Sequence, residues 1–250
     1  MADWNDPRTT RQGLGESQSF RGASVPRTGE VFDAGLRKHM LSIYNYMASG
    51  VLLSGIIALG MFVTGTAEAM FFSPLRWIVA LAPLGIVFAM SFGANRFATG
   101  TLQMMFWGFA VLMGMSLSTI FLVYTGPSIA ATFFATAGAF AGLSLFGYTT
   151  QKDLSGMGSF LIMGVVGLII ASLINIFLQS PALYWAVSFL GVLIFAGLTA
   201  YDTQRLKDEY RGVRGTEWAG KAIVLGALSL YLDFINMFLF LLRFMGAARD

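Results

Sequence analysis

Two acidic residues stand in apolar company. Asp233 lies in the run Leu230-Tyr231-Leu232-Asp233-Phe234-Ile235-Asn236-Met237, and Asp202 closes the run Gly191-Val192-Leu193-Ile194-Phe195-Ala196-Gly197-Leu198-Thr199-Ala200-Tyr201. A charged side chain at the centre of a membrane helix costs roughly 2.5–3.5 kcal/mol on insertion scales. Such a carboxylate must be protonated, paired, wetted or bound to a cation. Arg96, in Gly93-Ala94-Asn95-Arg96-Phe97, is a cation at the end of another apolar run. Asn175, Tyr231 and Asn236 add uncharged polar groups at depth. The chemistry open to this set is proton exchange, ion pairing and cation contact.

Plainer readings stand beside these. Asp202 also fits an interfacial acid in water, Arg96 a topological anchor, and Asp233 a carboxyl hydrogen-bonded between packed helices. The two asparagines fit helix–helix adhesion, and Gly138-x-x-x-Gly142 fits close packing. His39, Asp208 and Glu209 read as solvated, and Asp153 as the cap that starts a helix.

Other chemistries are excluded. There is no Cys, hence no disulfide, thiolate metal site or Cys nucleophile, and the single His39 cannot form a two-His zinc site. A Ser-His-Asp triad would have to use His39, in a charged segment. A formal charge of +3 is too small and scattered for nucleic acid.

The elements that position these residues follow from composition. Of the 250 residues, 56% are hydrophobic and 12% charged. Soluble domains carry about 25% charged residues, so the chain is an integral membrane protein. Apolar blocks of spanning length lie at about 42–64, 72–94, 101–124, 128–148, 159–178, 182–202 and 221–243. Each must be a helix, because lipid satisfies no open backbone. Residues 1–39 read as a disordered tail without the apolar run of a signal peptide, and 40–250 as the membrane domain.

With the tail inside, thirteen Lys and Arg fall on inner segments and three, Arg76, Arg243 and Arg249, on outer ones. The amino terminus is therefore expected in the cytoplasm. Tyr148-Thr149-Thr150-Gln151-Lys152 and Tyr201-Asp202-Thr203-Gln204-Arg205 end blocks four and six alike. They fit a duplicated hairpin or two similar interface anchors.

Tyr201-Asp202 with Leu206-Lys207, Leu228 to Asn236 with Leu241-Leu242-Arg243, and Lys152-Asp153-Leu154-Ser155 together resemble the transmembrane Bax inhibitor motif family. The resemblance covers everything after the tail. Without a Lys-rich carboxyl end, the chain looks like a prokaryotic member, expected in the inner membrane.

The resemblance implies an all-α bundle of seven transmembrane helices with helix seven central. It implies a pH-sensitive Ca²⁺ leak with a role in stress response. Asp202 and Asp233 match the family's pH-sensor carboxylates and would also contact Ca²⁺ in transit. Arg96 matches by position a latch that holds the helix-six carboxylate when the pore is closed. No enzymatic activity or resident cofactor is expected. The partners implied are the bilayer and Ca²⁺.

An alternative is a non-conducting regulator bound to another membrane protein, such as a quality-control protease, with the tail as docking segment. An intramembrane aspartyl protease is disfavoured. The Gly-x-Gly-Asp signature is absent, and Pro181-Ala182-Leu183 precedes helix six. One tension remains: Asp202 reads as interfacial and Asp233 as near mid-depth.

Overall fold

The computed structural model describes residues 28–249. Among them are nine helices: α1 (Thr28–Val63), α2 (Thr66–Phe71), α3 (Leu75–Gly93), α4 (Thr99–Leu117), α5 (Ile120–Val123), α6 (Gly126–Thr149), α7 (Ser155–Leu178), α8 (Pro181–Val213) and α9 (Trp218–Met245). Seven stretches are long and apolar enough to cross a membrane: α1, α3, α4 continued by α5, and α6 to α9. The chain is an all-α, seven-span membrane protein, as its composition demands.

Two compact units divide after Gly35, and Leu36–Asp250 holds the bundle. The boundary expected after residue 39 moves back. Helix α1 begins at Thr28, so residues 28–39 are helical, and the rest of the expected tail, 1–27, lies outside the described residues. The reason is a buried stripe at helical spacing, Leu36, Met40, Ile43, Met47 and Val51. His39 joins it. Rather than solvated, it is 5% exposed, with its ring tilted at 41° to the Tyr210 ring 5.1 Å away.

Block six also extends. Helix α8 continues eleven residues past Asp202 to Val213, about 16 Å further. Hydropathy marks where lipid ends. The helix itself persists, because Arg, Lys and Glu are good helix formers in water.

A turn containing Gly215, at φ 75°, reverses the chain into α9. The two helices then run antiparallel in constant register. An added Cβ on Gly226 would meet Leu206, Ser229 bonds Asp202, and a Cβ on Gly191 would meet the Phe240 ring. Helix α9 is the most enclosed span. Its most apolar window is 61% buried, against 11–33% in the others. Its principal neighbours are α8, α6 and α4, and Tyr231 ties it to α1. Among the described residues these contacts make α9 the most enclosed span without establishing the full ring expected around helix seven.

Close packing uses other glycines than expected. An added Cβ at Gly138 or Gly142 meets nothing within 4 Å, so the Gly138-x-x-x-Gly142 spacing seals no contact inside this chain. At Gly147 a Cβ would stand 2.2 Å from the Ala200 carbonyl oxygen of α8. Backbone cannot yield there as a side chain would. Gly147→Ala is therefore expected to destabilise the α6–α8 contact by about 1–3 kcal/mol, the usual range for overpacking. Thermal unfolding in detergent checks this, with Gly142→Ala as the silent control.

Candidate functional site

The register of the α8–α9 hairpin resolves the depth tension. Asp233 lies fifteen residues after Trp218, the start of α9. Because α8 runs past Asp202 before turning, Asp202 meets α9 at Ser229, one helical turn from Asp233. The two carboxyl groups lie near enough to interact electrostatically. Both are 5% exposed.

Two side chains knot around Asp202. The Ser229 hydroxyl donates a short hydrogen bond to Oδ2. The Arg205 guanidinium forms an ion pair with Oδ1 at 3.3 Å. The same Arg205 nitrogen donates to the Ser229 hydroxyl at 3.1 Å. The i,i+3 spacing of Asp202 and Arg205 puts both on one face of α8, and the Tyr201 ring lies 5.8 Å from the guanidinium carbon. The Asp202 side chain is 7% exposed and that of Arg205 45%. Arg205 thus joins a buried carboxylate to the surface. Asp233 Oδ2 is buried without a hydrogen-bond partner, which makes it the costliest unsatisfied polar atom of the site.

A polar pocket of about 410 Å³ opens beside the knot, lined by Ser155, Tyr201, Gln204, Arg205, Asp208 and Glu209. Asp208 and Glu209 are exposed, as expected. Arg205 lines this pocket together with both of them, while its guanidinium pairs with the buried Asp202. Among the described residues no cluster of three or more potential metal-ligating His, Asp or Glu occurs.

The remaining predicted residues separate. Arg96 is exposed in the turn after α3. Asp202 takes its cation from its own helix, so the Arg96–Asp202 latch is not the pair formed here. Sequence reading places Arg96 and Asp202 on one side of the membrane. It does not weigh the advantage of a cation three residues along the same helix.

Asn175 belongs to the opposite end of the bundle. Its Oδ1 accepts from Ser180 N–H at 3.0 Å and holds the α7–α8 turn, where Gln179 adopts φ 49°. Asp202 is twenty-one residues along α8 from Pro181, about 32 Å away, so Asn175 gives the acids no support. Asn236 bonds the Leu232 carbonyl of its own helix.

Tyr231 points away from Asp202. It is fully buried, its hydroxyl lies 2.6 Å from that of Ser54, and Phe106 and Phe109 meet its ring edge-on. Ser54 also donates to the Ala110 carbonyl at 2.6 Å, which joins α1, α4 and α9. Ser54→Ala is expected to cost about 0.6–1.7 kcal/mol, the span measured for interhelical hydrogen bonds in a membrane. A thermal shift in detergent reads it.

Sequence reading missed Ser229, Arg205 and Gln204. Ser229 was findable as the residue one turn before Asp233. Gln204 accepts from Leu154 N–H and donates to the Lys152 carbonyl, both at 2.8 Å, clamping the α6–α7 turn to α8. Asp153 stands one residue before the N-cap of α7, which is Leu154, rather than at the cap expected: its Oδ1 accepts from Ser155 N–H at 2.8 Å in a local turn that leads into the helix. Hydrogen bonds from Ser155 hold the Asp153 carboxyl below its ordinary range. That support is present at neutral pH and is lost as pH falls through the lowered value.

The two acids named from the motif residues thus lie on the last two helices of a seven-span bundle. A family profile described as "Inhibitor of apoptosis-promoting Bax1" matches residues 36–250. The chain belongs to the Bax inhibitor family. Inner membrane protein YbhL of Escherichia coli is 43% identical over 230 residues, covering 90% of this chain and 98% of its own. An uncharacterised protein of Caulobacter vibrioides is 48% identical over 241 residues, covering 91% and 96%. Uncharacterised protein RP147 of Rickettsia prowazekii is 47% identical over 222 residues, covering 88% and 94%. The Bax inhibitor match begins at Leu36, where the second compact unit begins.

Proposed function

We propose that the protein is a pH-sensitive Ca²⁺ leak channel in which Asp202 and Asp233 exchange protons and contact the passing ion. The observation that carries this reading is the buried knot of Asp202, Ser229 and Arg205, one turn from a carboxyl oxygen that has no partner. Two carboxyl groups at such range do not both stay ionised cheaply, so the pair titrates as a unit. Ca²⁺ is a hard cation that takes carboxylate, carbonyl and water oxygens. Two carboxylates suit an ion in transit better than one held at the six to eight oxygens of a resident site.

Arg205 is the closing cation in this reading. Its ion pair requires an ionised Asp202, so the pair holds at high pH and is lost on protonation. Arg205 then turns to Glu209 and the polar pocket, and α8 is freed from α9. Flux therefore rises as pH falls. The reading includes no enzymatic activity and no resident cofactor. It places the amino terminus in the cytoplasm, from the distribution of Lys and Arg, and the protein in the inner membrane, as the name of the Escherichia coli relative says of that protein.

The test is Ca²⁺ entry into proteoliposomes between about pH 5 and 8, the range in which such switches act. Flux that follows pH supports the leak. Flux no greater than in protein-free vesicles sinks it and leaves the non-conducting regulator, to be sought by co-purification with and without residues 1–39.

A further inference from the structure

A long apolar crevice separates α1 from α6. Its volume is about 780 Å³, within the range of small-molecule sites. Along α1 it runs from Arg37 to Leu52, about 22 Å. One leaflet's share of a ~30 Å hydrocarbon core is shorter than that. The walls are Met, Leu, Val, Ala and Phe, and the lining contains no acidic side chain.

The polar groups gather towards one end. Arg37, exposed, lines that end with Tyr44, and Tyr148 lines it from α6. Lys207 lies 5.8 Å from the Tyr148 ring and donates to the Tyr148 carbonyl at 2.9 Å. A greasy slot with Arg37 lining one end, and Lys207 held on the backbone of the lining residue Tyr148, is complementary to a lipid that has a hydrocarbon tail and a negative head.

The floor of the crevice reaches the acid knot. Phe234, next to Asp233, lines it and packs on Phe140 with ring centroids 5.5 Å apart. Ser144 lines it too, and accepts a hydrogen bond from Thr203, next to Asp202.

We propose that this crevice binds one anionic phospholipid, with an acyl chain between α1 and α6 and its phosphate at Arg37 and Lys207. The seam lies on the membrane-spanning surface, so lipid is the solvent available to it. The cations select among lipids by head-group charge. The bound chain rests on Phe140 and on Phe234, the residue next to Asp233. The site stands independently of Ca²⁺ flux.

The experiment uses the full-length protein in vesicles of phosphatidylcholine containing a phosphatidylglycerol with a photoreactive group in its acyl chain. After illumination, labelled peptides are mapped. The expected result is labelling concentrated in α1 and α6, displaced by unlabelled phosphatidylglycerol and poorly by phosphatidylcholine. Arg37→Ala is expected to weaken that preference about fivefold, the equivalent of the ~1 kcal/mol that one cation contributes at an anionic surface. Ala141→Leu, which fills the slot from an exposed position on α6, should lower crevice labelling while the protein elutes and melts as the parent does.

Labelling spread evenly over the lipid-facing side of α7 would overturn the proposal. So would equal competition by the two lipids, or a preference unchanged in a folded Arg37→Ala. A protein co-purifying in the seam and excluding the probe would overturn it in favour of a partner helix.

Discussion

Asp233→Asn is expected to abolish the pH dependence of Ca²⁺ flux and leave the bundle folded. The reasoning starts from the unsatisfied Oδ2 in an enclosed helix. A carboxyl there gains or loses its charge with pH. A carboxamide has nearly the same shape and does not titrate. One pH unit is worth about 1.4 kcal/mol per proton exchanged, enough to change an open-to-closed ratio about tenfold. The parent should therefore show a steep profile between about pH 5 and 8.

The single variant and Asp202→Asn/Asp233→Asn should both be flat across that range. Removing a buried charge that lacks a hydrogen bond should not lower stability, so the melting temperature in detergent should equal or exceed the parent's. A profile for Asp233→Asn that still follows pH would remove the sensor assignment, and a folded double variant that still follows pH would remove the pair altogether.

The second large effect concerns the cation. Arg205→Gln should raise resting leak at high pH, where the parent is closed by the Asp202–Arg205 pair. Nearly half of the Arg205 side chain is exposed, so solvent screens the pair. Exposed pairs are worth about 0.2–1 kcal/mol, and the upper figure corresponds to about a fivefold increase in the open population. At acid pH, where the pair is already broken, parent and variant should converge. That convergence separates a latch from a merely structural residue, whose loss would alter flux at every pH.

Arg96→Ala is the matched control. Its side chain stands exposed in the turn after α3, so its resting leak should equal the parent's. The opposite ranking, with Arg96→Ala leaking and Arg205→Gln silent, would restore the latch to helix two and describe a closed state with a different Asp202 partner.

The structure also revises how the two acids relate to the bundle. Asp202 has the Ser229 hydroxyl and the Arg205 guanidinium, whereas Asp233 Oδ2 is buried without a hydrogen-bond partner. The two environments differ although the side chains are the same. Asp202 lies eleven residues before the end of α8 and Asp233 fifteen residues after the start of α9.

What the sequence determined is what depends on chemistry along the chain. Apolar runs of spanning length forced seven helices, since an unpaired backbone in lipid is too costly. Asp202 and Asp233 were conspicuous because ionisable residues in such runs are rare and expensive. The motif around Asp233 pointed to the family that the profile and the relatives bear out. A role for Asp153 beside the start of α7 was readable because its bond to Ser155 is local, although the cap itself is Leu154.

The tertiary structure decided what depends on register between helices. Sequence gave Asp202 and Asp233 different depths. Only the continuation of α8 to Val213 and the reversal at Gly215 bring Asp202 opposite Ser229. It paired Asp202 with Arg205, sent Asn175 to a distant turn and Tyr231 to Ser54, and buried His39 on an extended α1. Hydropathy reports the edges of the lipid and is blind to helical phase beyond them. Which polar groups meet is set by side-chain direction around each helix, and packing against neighbours fixes that direction.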